Sequence, residues 1–190
     1  FAEAAAFGVT YRPAYFALRT VAAVQSGVGG GVLGAAGGAG LAAVELAVAN
    51  VADGGGPFGA VVVRDGQLVA TGQNRVTRDL DPTAHAEVVA IRNACRVAGD
   101  FALVGATIYA SCEPCPLCLA SSLWARLDAI VFAADRHAAA AAGFDDAAFH
   151  ALFDAAPDSG GWPLRREHHP TPRSEEPFDA WRARVDRTAY

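Results

Sequence analysis

Leu41, Val44, Leu46 and Val48 recur at helical spacing on an Ala-rich stretch, and the run breaks at Asp53-Gly54-Gly55-Gly56-Pro57, where glycine and proline end a helix. The next apolar segments are short. Ala60 to Val63 and Leu68 to Thr71 read as strands joined at Asp65-Gly66, a dipeptide suited to the positive φ that both central positions of a tight hairpin turn require. Helical spacing returns at Val88, Ile91, Ala94 and Cys95, started by Asp81-Pro82-Thr83 and closed by Gly99. Thr107 to Ala110 and Ala129 to Ala134 are again short and apolar, and they flank a helix that begins near Pro116 and runs through Trp124. Strand, helix, strand, helix on a central sheet predicts an α/β layer architecture.

Residues 1–40 look different. From Thr20 to Val44 the chain carries no charge and follows Arg12 and Arg19, so a signal peptide or a membrane anchor has to be weighed. Gly27, Gly29, Gly30, Gly31, Gly34, Gly37, Gly38 and Gly40 weaken both readings and predict a loosely ordered Gly/Ala-rich extension. The lack of any Met, position 1 included, is expected of a fragment or a processed product. A length of 190 residues with 53% apolar and 18% charged composition allows one domain with a full core, expected over residues 41–190, and excludes a disordered chain. The net charge of −5 and pI near 5.4 argue against a partner with a phosphate backbone, which needs a basic stripe. A small neutral substrate fits better.

Three of the four cysteines, Cys112, Cys115 and Cys118, crowd into seven positions, while Cys95 sits apart. Such crowding suits metal ligation in a reducing cytoplasm better than a disulfide framework. A redox pair is the alternative, but it would leave the upstream His85-Ala86-Glu87 without a task. One imidazole and the thiolates of Pro114-Cys115-Pro116-Leu117-Cys118 are the donors Zn²⁺ prefers, and three protein ligands leave the fourth tetrahedral position for a water molecule. Glu87 is then the proton carrier. The order His-x-Glu, then Pro-Cys-x-x-Cys, is the signature of zinc nucleobase deaminases. A closed structural site would need a fourth ligand, with Glu87, Cys112 or a distant His as candidates. Both halves fall where a strand gives way to a helix, whose N-terminal N–H groups favour thiolates. His85 and Glu87 would point about 200° apart in a regular helix, so they can share a site only if His85 stands at or before the first turn.

Further segments narrow the reading: Gly55-Gly56-Pro57-Phe58-Gly59-Ala60, Gly72-Gln73-Asn74, Asp81-Pro82-Thr83-Ala84-His85-Ala86-Glu87, Ser111-Cys112-Glu113-Pro114, Trp124-Ala125-Arg126, Ala142-Gly143-Phe144-Asp145-Asp146 and Pro177-Phe178-Asp179-Ala180-Trp181-Arg182. Over residues 41–190 the chain resembles the bacterial guanine deaminases of the cytidine deaminase-like superfamily. The resemblance implies a three-layer α/β/α fold around a mixed sheet of about five strands. It implies one Zn²⁺ per subunit held by His85, Cys115 and Cys118, with Glu87 and Asp146 as catalytic carboxylates. Phe58 is implied to stack on the purine, Asn74 to hydrogen-bond its edge, Trp124 to line the pocket and Tyr190 to close it. The C-terminal tail, residues 173–190, would act as a lid, swapped between the subunits of a homodimer. The implied reaction is hydrolysis of guanine to xanthine and ammonia, with no nucleic-acid or membrane partner.

Plainer readings stand beside these. Phe58 and Trp124 could be core aromatics, Asn74 could end a strand, Asp146 could cap a helix beginning near Ala147, and Tyr190 could be a frayed terminus. Asp145 competes with Asp146. Among enzymes, a guanosine, cytosine or aminotriazine deaminase shares the site. A tRNA adenosine deaminase also shares it but demands basic surface, and from Trp162 onward six Arg face five acidic residues. Outside catalysis, an inactive zinc-stabilised binding module fits if Glu87 is dispensable. His168-His169 reads as a surface pair.

Overall fold

The computed structural model describes residues 32–144, 146–154 and 171–186. Helix α1 spans Val32–Ala52 and so begins nine residues before the periodicity at Leu41 becomes regular. Packing reaches ahead of Leu41: Ala39, with Ala42 and Leu46, is buried against Val61 and Tyr109, which works against the roughly 1 kcal/mol each glycine costs a helix relative to alanine. Strands β1 (Gly59–Arg64) and β2 (Gln67–Gln73) form the expected hairpin, with Asp65 at φ 53° and Gly66 at φ 73° in its turn.

A four-residue helix α2 (Val76–Asp79) leads to α3 (Ala86–Ala98), which ends at Gly99 with φ 66°. Strand β3 (Ala106–Cys112), helix α4 (Pro116–Trp124) and strand β4 (Ala129–Ala134) follow. The later helices are α5 (Arg136–Ala141), α6 (Ala147–Asp154) and α7 (Glu176–Ala183). The sheet order is β2-β1-β3-β4; β1 is antiparallel to both neighbours, and β3 is parallel to β4. The sheet is therefore mixed, as expected, with four strands among the described residues where about five were anticipated.

Alternation along the strands builds two cores. Ala60 and Val62 of β1 and Ile108 of β3 face Ala86, Ala90, Ile91 and Ala94 of α3. Val61 and Tyr109 point the other way, to α1. Helices thus cover both faces of the sheet, which is the α/β/α sandwich.

Two glycines let the layers close. A Cβ at Gly59 would collide with the Ala43 carbonyl, the Ala47 nitrogen and Leu46 of α1. One at Gly72 would collide with the Ala86 carbonyl and the Ala90 nitrogen of α3, which is backbone and cannot swing aside. Overpacking of this kind costs about 1–3 kcal/mol. Gly72→Val should lower the urea midpoint accordingly; an unchanged midpoint would show that α3 is free to shift.

The chain divides into two compact units, residues 1–151 and 152–190. The first holds the sheet. The second holds α7 and the exposed ion pairs Arg173–Glu176, Arg182–Asp179 and Arg184–Asp186, each worth little in water. Among the described residues, no helix is long and apolar enough to cross a membrane.

Candidate metal centre

His85 is the N-cap of α3, with extended backbone at φ −65° and ψ 153°, and Glu87 lies in the helix's first turn. The departure from helical register at His85 is what frees its ring from the 200° separation of a regular helix. Cys115 is likewise the N-cap of α4, at φ −67° and ψ 168°, and Pro116 takes the first helical position, where a missing N–H leaves nothing unsatisfied. Cys118 follows three residues later, on the same side of the first turn.

These two helix starts bring three donors together. His85 Nδ1 lies 3.5 Å from both Cys115 Sγ and Cys118 Sγ, and the sulfurs are 3.6 Å apart. A tetrahedral zinc with bonds of about 2.3 Å to sulfur and 2.0 Å to nitrogen needs separations of about 3.5 Å from nitrogen to sulfur and 3.8 Å between sulfurs. The triangle fits. Among the described residues His85, Cys115 and Cys118 are the one group able to hold a metal ion; neither Glu87 nor Cys112 joins them, so the set has three ligands and an open fourth direction.

The sulfurs divide one charge unequally. Donation by Cys118, aided by His85, holds the Cys115 thiol down at about 4, against its own burial. Cys118 is 0% exposed, and its thiol is pushed up by Cys115 beside it and by burial. Only a bound cation lets both ionise, as ligating thiolates must. His85 is raised by its contact with Cys115, against burial. Glu87, 8% exposed, is raised by burial and also by the charge of Cys115, so it holds its proton more firmly than a surface carboxyl.

The loop carrying the cysteines is tied at its start. Arg136 N–H donates to Glu113 Oε2 at 2.9 Å, its guanidinium reaches Oε1 at 2.8 Å, and Glu113 N–H donates to Ala134 O at 2.8 Å. Glu113 thus has a structural role, and the Arg136 N–H with its guanidinium holds the carboxyl below its ordinary value.

Asn74, 8% exposed, closes β2; its N–H donates to Phe58 O at 3.0 Å, and its Oδ1 accepts from Val76 N–H at 3.3 Å. Phe58 is half-buried, edge-on to Phe144 with centroids 5.1 Å apart. Asp146 immediately precedes α6, and its charge is felt at both His85 and Cys112. Trp124 ends α4 and is 64% exposed, with the Arg126 guanidinium 5.8 Å from its ring centre. Asp145, Tyr190 and the pair His168-His169 lie outside the described residues.

Two residues escaped the sequence reading. His150 is buried, and its Nε2 lies 3.3 Å from Asp146 Oδ2; the i, i+4 spacing was its signal. Asn50 is wholly buried, and it was legible only as a polar residue continuing the inward stripe of Ala43, Leu46 and Ala47.

Residues 40–134 match the family of the cytidine and deoxycytidylate deaminase zinc-binding region. A guanine deaminase from Bacillus subtilis is 46% identical over 153 residues, 78% of this chain and 94% of that protein. The X-ray structure of guanine deaminase from that organism superposes with a TM-score of 0.73 at 44% identity, over 80% of this chain and 96% of that one. A tRNA-specific adenosine deaminase from Agrobacterium fabrum is also 46% identical, but over 41% of this chain and 51% of its own length.

Proposed function

The chain belongs to the cytidine and deoxycytidylate deaminase zinc-binding family and, within it, to the guanine deaminases, and from that premise we propose that it hydrolyses guanine to xanthine and ammonia. The observation that carries the reading is the open three-donor site of His85, Cys115 and Cys118 with the buried carboxyl of Glu87 beside it. The donor set fits zinc, which when bound supplies a water molecule acidic enough to ionise near neutral pH.

The protein's own groups do the rest. Glu87 takes up a proton at its carboxylate and returns it toward the departing amine, so that one water enters, the carbon–amine bond breaks and ammonia leaves. Asp146 provides a second carboxylate near that amine. Phe58 stacks on the purine, the Asn74 amide reads its edge, and Trp124 lines the pocket. The tail 173–190, ending at Tyr190, closes over the base as a lid exchanged within a homodimer, and exclusion of water strengthens the charge interactions inside. The net charge of −5 and acidic pI keep polynucleotides away, and the reaction suits a cytoplasmic enzyme of purine turnover.

Ammonia release from zinc-loaded protein across guanine, guanosine, adenine, cytosine and an RNA hairpin tests the reading. Guanine should lead in kcat/KM by at least about tenfold. Guanosine equal to guanine would overturn the lid, and a preference for adenosine in the hairpin would replace the substrate altogether.

A further inference from the structure

The last turn of α1 ends in a buried amide that the reaction does not touch. Asn50 is 0% exposed, and its Nδ2 donates twice, to Gly56 O at 2.8 Å and to Asn74 O at 2.8 Å. Both amide hydrogens are used. In return Gly55 N–H donates to Asn50 O at 2.8 Å, and Asn74 N–H donates to Phe58 O at 3.0 Å. One side chain therefore links a helix end, the loop leading into β1 and the end of β2.

The glycines of that loop lie flat against two amides. A Cβ at Gly55 would stand 2.6 Å from Asn50 Oδ1 and 2.7 Å from its Cγ, and one at Gly56 would stand 3.0 Å from Asn74 Oδ1. Among the described residues Asn50 Oδ1 itself is buried without a partner, an arrangement that destabilises a fold. The two donors are what Asn50 contributes. They run to the backbone of Asn74 and to the loop that delivers Phe58, and neither reaches His85, Cys115 or Cys118.

We propose that Asn50 is a positioning residue for the base: by holding Gly56 and Asn74 at once, it sets the Asn74 amide and the Phe58 ring in the relation that grips the purine. The inference rests on the reading of Asn74 and Phe58 as base contacts. It assigns Asn50 to substrate affinity and not to metal binding.

The test compares Asn74→Ala, Asn50→Ala and Gly55→Ala, each assayed as full-length zinc-loaded enzyme for zinc content, kcat and KM with guanine. Gly55→Ala pushes on the Asn50 amide from the opposite side, so it carries the test even if Asn50→Ala fails to fold. Asn50→Ala and Gly55→Ala should each raise KM about tenfold, with kcat within about threefold and zinc at one per chain. If Asn74→Ala raises KM while the folded Asn50 and Gly55 variants leave it unchanged, the positioning role is overturned. Loss of zinc and kcat together at unchanged KM would also overturn it, since that is the signature of a structural residue. An unchanged KM in Asn74→Ala defeats the assignment of base contacts instead, and separates that failure from this one.

Discussion

Glu87→Gln should bind zinc at full stoichiometry and yet release ammonia from guanine about a thousandfold more slowly, within the range that positioned acid–base groups contribute. The substitution keeps the shape of the side chain and removes its ability to accept and return a proton. Glu87 lies outside the ligand triangle, so the loss should fall on turnover and not on metal content. Its environment is what makes it suitable: it is buried, beside Cys115 and His85, and its carboxyl is raised. Metal analysis together with a coupled ammonia assay decides the matter. Full activity in the zinc-loaded variant would overturn Glu87 as the proton carrier, whereas no ammonia release from any base by the zinc-loaded parent protein would leave the binding-module reading standing.

Stripping the zinc with a chelator should bring deamination to background and lower the melting temperature, and re-addition of zinc should restore both. The ligands all sit at helix starts, so the ion joins α3 to α4. At free zinc a thousandfold above Kd, the linkage stabilises the native state by about 4 kcal/mol. For a chain of this size that is a shift on the order of 10 °C. Cys118→Ser should behave like the stripped protein and resist rescue, since it removes a fully buried thiolate from a site with three ligands. Calorimetry with and without chelator checks the first claim, and zinc content per chain checks the second.

Those ligands were legible because they come in two short segments whose internal spacing is local. The hairpin was legible for the same reason, since Asp65-Gly66 announces its positive φ angles in two residues. What sequence could not supply depends on contacts across the chain. The burial of Ala39 against Val61 and Tyr109, which extends the helix's packing ahead of Leu41, is one such contact. The direction of β4 beside β3 follows from the path through α4. Asn50 acts through Asn74, 24 positions away, and Phe144 meets Phe58 across 86 positions of sequence. Sequence spacing also left His85 and Glu87 under a geometric condition, which the N-cap conformation of His85 meets.

Gly59 and Gly72 press against helix backbone from opposite faces of the sheet. The helix residues they meet include Ala43, Ala47, Ala86 and Ala90, already the smallest that a helix tolerates without penalty. Neither surface has anything left to trim. Over evolutionary time, then, a larger residue at position 72 has no compensating side-chain change across from it, because the atoms it would strike are helix backbone. The region behind His85 and Glu87 is consequently a dead end for gradual drift.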